Sequence, residues 1–86
     1  MSLASYEQLK LIEAWIRAEY AMRTHAIWAG IANVDWHNPE NRITYTEIAT
    51  KCQMCGIPVD PFQLRELMQQ MAKSLLRSSH AKAKTA

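Results

Sequence analysis

The first third of the chain has the periodicity of an amphipathic helix. Between Ser5 and about Ala32 there is no proline, and the only glycine, Gly30, stands near the end. At 100° per residue the apolar side chains fall into two adjoining stripes. The first stripe holds Leu9, Ile12, Ile16, Tyr20, Ile27 and Ile31, and the second holds Leu11, Trp15, Ala18, Met22, Ala26 and Ala29. Since one neighbouring helix covers a narrower arc, this pattern predicts a single long helix that is contacted on two sides, by later helices and by a second copy of the chain in a homodimer.

Two charged residues interrupt the wide apolar arc of this helix. Glu19 and Arg23 lie four residues apart, a spacing that brings side chains together on a helix surface. We therefore expect an ion pair in which each charge compensates the other within an otherwise apolar surface.

The segment from Asn33 to Arg42 has no helical periodicity. It is rich in Asn, Asp, Pro and His, residues that favour turns because most of their side chains compete with the backbone for hydrogen bonds. We expect a connecting loop here, with Val34 and Trp36 packed onto the core.

A second helix is predicted immediately after this loop. Thr44 and Glu47 have the spacing of a capping box, which predicts a helix over residues 45–55, with Thr46 as an alternative cap. Gly56 is expected to end the helix in the left-handed conformation.

The clearest helix start in the chain lies at Asp60 and Pro61. Aspartate is a favoured N-cap, and proline suits the first helical position because its missing N–H would have no partner there. An apolar stripe predicts that this helix runs to about Arg77. The stripe consists of Leu64, Leu67, Met68, Met71, Ala72, Leu75 and Leu76. Residues 79–86 contain Lys82 and Lys84 without an apolar pattern, and we expect a frayed basic tail.

These elements predict an all-α fold with three main helices. The long N-terminal helix is expected to pack against the capped pair of shorter helices, in one domain over residues 1–78. No segment alternates apolar and polar residues for long enough to predict a sheet.

Composition and charge restrict the classes of function. The 86 residues are 49% hydrophobic and 21% charged, which excludes a disordered chain. The longest apolar stretch is interrupted by charges and is too short to span a bilayer, so we expect a cytoplasmic protein without membrane contact. Residues 1–40 carry three basic and five acidic residues, whereas residues 41–86 carry seven basic and three acidic residues. This asymmetry indicates that a partner with negative charge would bind the second half.

The capped helices of the basic half resemble the helix-turn-helix of DNA-binding proteins. The stretch from Ile43 to Ala49 is similar to the scaffold helix, and Pro61 to Arg77 takes the place of the recognition helix, with no wing after it. The resemblance implies that the second helix enters the major groove. It further implies base contacts by Gln63, Gln69 and Gln70 and phosphate contacts by Lys51, Arg65, Lys73 and Arg77. A plain antiparallel helical hairpin with a solvated polar face is the alternative interpretation of the same pattern.

Four aromatic residues are candidates for a protein interface, namely Trp15, Tyr20, Trp28 and Trp36. Trp28 falls on the otherwise polar arc of the first helix. It either packs against the following loop, where Trp36 lies, or is exposed as an interface anchor. Trp15 and Tyr20 are expected in the core or in the dimer interface.

The residue types needed for metal binding or catalysis are sparse. Cys52 and Cys55 have the spacing of a ligand pair, but His25, His37 and His80 lie on three separate elements and supply no second close pair. We expect both cysteines to be small core residues on one helix face. There is also no glycine-rich phosphate loop and no linked acid–base pair, so we expect no metal, no cofactor and no enzymatic activity.

Together these patterns favour a small non-enzymatic regulator that binds DNA through its basic C-terminal helix pair. The alternative is a protein-binding adaptor or inhibitor that acts through an aromatic and basic helical surface. The aromatic-rich helical chain resembles in this respect the small accessory proteins of phages and other mobile elements.

Overall fold

Residues 4–85 of the protein form four helices. The computed structural model describes residues 4–85, with side chains as far as residue 78. The helices are α1 Tyr6–Met22, α2 His25–Ala32, α3 Pro39–Met54 and α4 Pro61–Thr85, and residues 4–85 contain no strand. The predicted all-α class is confirmed, whereas the predicted number of three main helices is one too few.

The single long N-terminal helix is a wrong prediction, because the chain breaks between α1 and α2. Arg23 has extended backbone, and its N–H donates to the carbonyl oxygen of Glu19 at 3.1 Å, which closes α1. Thr24 then caps α2, since its Oγ1 accepts the N–H of Ile27 at 3.4 Å. The first apolar stripe is nevertheless buried on both sides of the break, as Ile12, Ile16, Ile27 and Ile31 show.

Helix α3 begins earlier than predicted. The Oδ1 atom of Asn38 accepts the N–H of Glu40 at 2.9 Å, and Pro39 occupies the first helical position. Thr44, the predicted N-cap, is fully buried inside the helix, where its hydroxyl donates to the carbonyl of Glu40 at 2.9 Å. The predicted capping box is therefore wrong, and the loop between α2 and α3 is limited to residues 33–38.

The turn between α3 and α4 follows the prediction. Gly56 is left-handed, with a φ of 67°. The Oδ1 atom of Asp60 accepts the N–H of Gln63 at 3.0 Å, which confirms Asp60 as the cap and Pro61 as the first residue of α4. Helix α4 packs mainly against α2, and α3 also contacts α2, so the last two helices pack against α2 as well as against each other.

One apolar core joins all four helices. It contains Ile12, Ile16, Ile27, Trp28, Ile31, Ala32, Ile48, Cys52, Ile57, Leu64, Met68 and Ala72. Gly30 lets α2 and α3 approach closely, because a Cβ at this position would lie 2.5 Å from Nδ2 of Asn41. Asn41 is fully buried, and its Nδ2 donates to the carbonyl of Asp35 at 2.7 Å. This hydrogen bond fixes the loop after α2 on the surface of α3.

Helix α4 continues past the predicted end at Arg77. Its backbone is helical through Thr85. The predicted frayed basic tail consists of residues 79–86, whose side chains are not described, so it stays a prediction. Within residues 4–85, no helix has both the length and the apolar character needed to cross a membrane.

An ion-pair network connects α1 to α3. The Nε atom of Arg23 lies 2.7 Å from Oε2 of Glu19, and its Nη2 lies 2.7 Å from Oε2 of Glu47. The predicted pairing of Glu19 with Arg23 is confirmed, and Glu47 is an additional partner. A hydrogen bond from Arg23 is the main cause that lowers the pKa of the Glu47 carboxyl.

We expect Glu47→Gln to lower the free energy of unfolding by about 0.5–1 kcal/mol at neutral pH, a modest value because this side chain is 43% exposed. A carboxyl whose pKa is lowered by folding stabilises the fold above its unfolded pKa and loses this contribution as the pH falls through the folded value. The difference between wild type and variant should therefore be smaller at roughly pH 3 than at neutral pH. Urea unfolding of both proteins at the two pH values measures it, and a difference that persists in acid would argue against a charge effect.

Candidate nucleic-acid interface

The solvent-facing side of α4 carries most of the residues predicted to contact nucleic acid. Gln63, Arg65, Gln70, Lys73 and Arg77 are all exposed. Gln63, Gln70, Lys73 and Arg77 lie opposite the buried apolar stripe of the helix and share one surface, and Arg65 lies at the edge of this surface, beside Tyr45 of α3. We call this surface the α4 face; it also includes exposed Phe62, exposed Glu66 and half-buried Gln69.

Two of the predicted residues have other surroundings. Gln69 is half-buried, and its Nε2 lies 3.5 Å from the carbonyl oxygen of Ala32, a long hydrogen bond that connects α4 to the end of α2. Lys51 lies on α3, with its Nζ 6.0 Å from the centroid of the Trp15 ring on α1. The structure therefore does not bring Lys51 together with the cations of the α4 face.

Aromatic rings hold Arg65 in place. Its guanidinium carbon lies 5.8 Å from the centroid of the Tyr45 ring, and Tyr45 meets Trp36 edge-on at 5.9 Å. A cation over an aromatic ring is attracted by the negative face of the ring, worth about 0.5–1 kcal/mol at an exposed site. Burial raises the pKa of the Tyr45 hydroxyl although the charge of Arg65 opposes the shift. Tyr45 is therefore neutral at physiological pH and supports Arg65 as an aromatic surface.

A groove of about 520 Å³ lies between the α2–α3 loop and α4. We call it the loop–α4 groove; its lining consists of Val34, Trp36, Phe62, Arg65, Glu66, Gln69, Gln70 and Lys73. Phe62 is 68% exposed and Val34 is 51% exposed. The groove thus combines exposed apolar side chains with two cations, two carboxamides and one carboxylate.

The sequence patterns did not identify Val34 and Phe62 as site residues. Val34 was expected to pack onto the core, but its left-handed backbone leaves the side chain half-exposed. Phe62 did carry a usable signal, because helical spacing places it away from the apolar stripe of Leu64 and Met68. An aromatic residue on the polar side of a helix is a candidate for binding.

The four aromatic residues predicted as a protein interface do not form one surface. Trp28 is fully buried and packs against Tyr20, with ring centroids 5.6 Å apart. The expectation that Trp28 is exposed as an interface anchor is wrong, because its side chain is fully buried, whereas packing of Trp28 against the loop at Trp36 stays a prediction. The break before α2 gives this helix its own rotational phase and turns Trp28 into the core. Trp36 borders the loop–α4 groove, whereas Trp15 is half-buried beside α3.

The two cysteines have different environments. Cys52 is buried, which raises the pKa of its thiol, whereas Cys55 is the exposed C-cap of α3. The expectation that both are core residues is wrong for Cys55, because the helix ends before it. Among residues with described side chains, no group of three or more His, Cys, Asp or Glu is arranged to hold a metal ion.

Comparisons of this chain with protein-family models, with curated proteins and with solved structures give no match. The chemistry and geometry of the α4 face and the loop–α4 groove are therefore the observations from which a function is inferred.

Proposed function

We propose that this protein is a small, cytoplasmic, non-enzymatic regulator that binds duplex DNA through the α4 face. One observation carries the proposal: a single exposed helix side collects carboxamides, which pair with adenine, and cations, which pair with phosphate. The exposed carboxamides and cations are Gln63, Gln70, Arg65, Lys73 and Arg77.

The form of α4 suits the major groove. A helix with its side chains is about 10–12 Å across, and the major groove of B-DNA is about 12 Å wide. Helix α4 is held by α2 through its buried side, which leaves the α4 face free. Lys73 and Arg77 lie four residues apart and exposed, so both side chains approach the same phosphate backbone.

The charge distribution supports the same proposal. Residues 41–86 carry seven basic residues against three acidic ones, and the first forty residues carry the opposite sign. Cations that neutralise phosphates release the counterions of DNA, and this release supplies most of the affinity that does not depend on sequence. The protein is therefore expected to bind any duplex weakly and a preferred sequence more tightly.

A mobility-shift titration with a mixed-sequence duplex at roughly 50 mM salt tests the proposal. We expect a complex in the micromolar range or tighter, and weaker binding by Lys73→Ala. The matched control is Lys10→Ala, which removes an exposed lysine that pairs with Glu13 at 3.6 Å on α1, and it should bind as wild type does. Failure to shift any duplex at this salt concentration would contradict the proposal.

The loop–α4 groove favours a second function, that of a protein-binding adaptor or inhibitor. Exposed aromatic and apolar side chains beside a cation are typical anchors of protein interfaces, and this groove offers Phe62 and Val34 beside Arg65. Capture from a nuclease-treated lysate by wild type and by Phe62→Ala separates the two functions. One stoichiometric protein that wild type retains and Phe62→Ala loses would favour the adaptor.

We also propose that the chain forms a homodimer through the second apolar stripe of α1. Leu11 is 42% exposed and Met22 is 78% exposed, so the other helices of the chain leave part of this stripe uncovered. Sedimentation that gives a monomer at every concentration would remove the dimer from the account.

A further inference from the structure

Two helices of this protein end in the same backbone motif with different residues at its left-handed position. After α3 the position is held by Gly56, with a φ of 67°, and after α2 by Val34, with a φ of 61°. In both cases the next residue donates its N–H to a carbonyl of the last helical turn, at 2.9 Å for Ile57 and at 2.8 Å for Asp35. This is the Schellman arrangement, in which glycine is the usual residue.

Left-handed backbone is unfavourable for valine. The Cβ of an L residue crowds the following carbonyl in this conformation, and a β-branched side chain is a clear outlier there. The surrounding structure enforces the strain, because the buried side chain of Asn41 donates to the carbonyl of Asp35 directly after Val34. Strained residues of this kind cluster where proteins contact ligands.

The strained backbone places an apolar side chain at the loop–α4 groove. Val34 is 51% exposed there, and Phe62 from the first turn of α4 is 68% exposed in the same groove. Gln69 and Gln70 line it as well. Two different elements thus bring apolar and carboxamide side chains to one site.

We propose that Val34 and Phe62 contact thymine methyl groups in the major groove, so that the α4 face prefers A·T to G·C pairs; this inference rests on the proposed DNA-binding function. An A·T pair presents a methyl group to an apolar side chain and the N6 and N7 atoms of adenine to a carboxamide. The groove supplies both, with Gln70 as an exposed carboxamide. Reading guanine requires a cation at the base edge. Of the two cations of the groove, Arg65 lies over the ring of Tyr45, and Lys73 is the cation assigned to phosphate.

Replacement of thymine by uracil tests the inference, because it removes the methyl group and keeps the Watson–Crick pair. The probes are a duplex of A·T pairs, the same duplex with deoxyuridine for thymidine, and a G·C duplex of equal length. We expect wild type to bind the thymine duplex about fourfold more tightly for each contacted methyl group, the value for burying one such group. The G·C duplex should bind most weakly.

Three variants connect the methyl preference to the named side chains. Phe62→Ala should reduce the ratio of thymine to uracil affinity towards one. Val34→Gly should reduce the ratio as well and, because glycine relieves the left-handed strain, raise the melting temperature by about 4–8 °C. The matched control is Ile43→Ala, an exposed apolar residue of α3 that is 53% exposed, which should leave the ratio unchanged.

The outcomes separate this inference from the proposed function. Equal affinity of wild type for the thymine and uracil duplexes would overturn the methyl contacts while DNA binding stands. Absence of binding to all three duplexes would overturn both. A Val34→Gly protein with a lower melting temperature than wild type would overturn the assignment of strain to Val34. Weaker binding of thymine by this variant would then be explained by damage to the fold and not by loss of a methyl contact.

Discussion

Arg23→Met is expected to lower the free energy of unfolding by about 3 kcal/mol and the melting temperature by roughly 12–24 °C. Arg23 bonds two carboxylates at 2.7 Å, and one of them, Glu19, is only 6% exposed. Methionine keeps the apolar stem of the side chain but leaves the Glu19 carboxylate buried without its cation. An unpaired buried charge costs several kcal/mol, whereas the intact pair itself contributes little.

The size of this effect is large for so small a protein. A chain of this length is stabilised by roughly 4–13 kcal/mol in total, so the variant loses a substantial part of its stability. The matched control is Arg17→Met on the same helix. Arg17 lies 3.8 Å from Glu13 and is 58% exposed, and its removal should cost no more than about 0.5 kcal/mol. Equal melting temperatures for the two variants would show that the network between α1 and α3 does not stabilise the fold.

A second substitution identifies the cause of the loss. Glu19→Gln in the Arg23→Met background removes the buried charge while it keeps the shape of the side chain. If the unpaired carboxylate is the cause, the double variant should regain part of the lost stability. A further loss would instead point to packing of the Arg23 stem.

Simultaneous Lys73→Glu and Arg77→Glu is expected to lower the affinity for duplex DNA about a hundredfold at low salt, roughly tenfold for each residue. Both side chains are exposed on the α4 face, where each reversal replaces attraction to phosphate by repulsion. Neither residue belongs to the core, so the fold should persist, and thermal melting checks this directly.

The control for this variant changes net charge by the same amount at another place. Lys10→Glu with Arg17→Glu reverses two exposed cations of α1, outside the α4 face. Affinity should then fall only slightly, through the weaker overall attraction. A similar loss in both double variants would mean that net charge, and not the α4 face, determines binding.

Local signals predicted the turn between α3 and α4 well and the break between α1 and α2 not at all. The end at Gly56 and the start at Asp60 depend on residues that act on their immediate neighbours, and both are confirmed. The break at Thr24 was missed because the apolar stripe continues across it, so the pattern looks like one helix. A threonine can cap a helix or lie inside one, and the local spacing of apolar residues does not distinguish the two.

The start of α3 shows how two valid signals compete. Thr44 with Glu47 and Asn38 with Pro39 both match the beginning of a helix. The helix begins at the earlier pair because the longer helix buries Asn41 and Thr44. Glu47 then forms an ion pair with Arg23 and does not take part in a cap. Ion pairs between distant elements are not visible in local spacing.

The candidate site was predictable in part. Exposure of the polar side of α4 follows from its clean apolar stripe, and Gln63, Gln70, Lys73 and Arg77 lie where helical spacing places them. The contribution of Val34 was not predictable, because a left-handed valine contradicts the preference of its residue type. The conformation results from the hydrogen bonds of the loop to α2 and α3.

Binding of DNA through the α4 face is tested most directly by the dependence of DNA affinity on salt. The α4 face presents three cations to phosphate, namely Arg65, Lys73 and Arg77. A plot of the logarithm of the binding constant against the logarithm of the salt concentration should therefore have a slope of about −3 for each bound chain. Fluorescence anisotropy with a labelled duplex between roughly 50 and 200 mM salt measures this slope. A slope near zero, or one that Lys73→Ala leaves unchanged, would contradict binding of DNA through the α4 face.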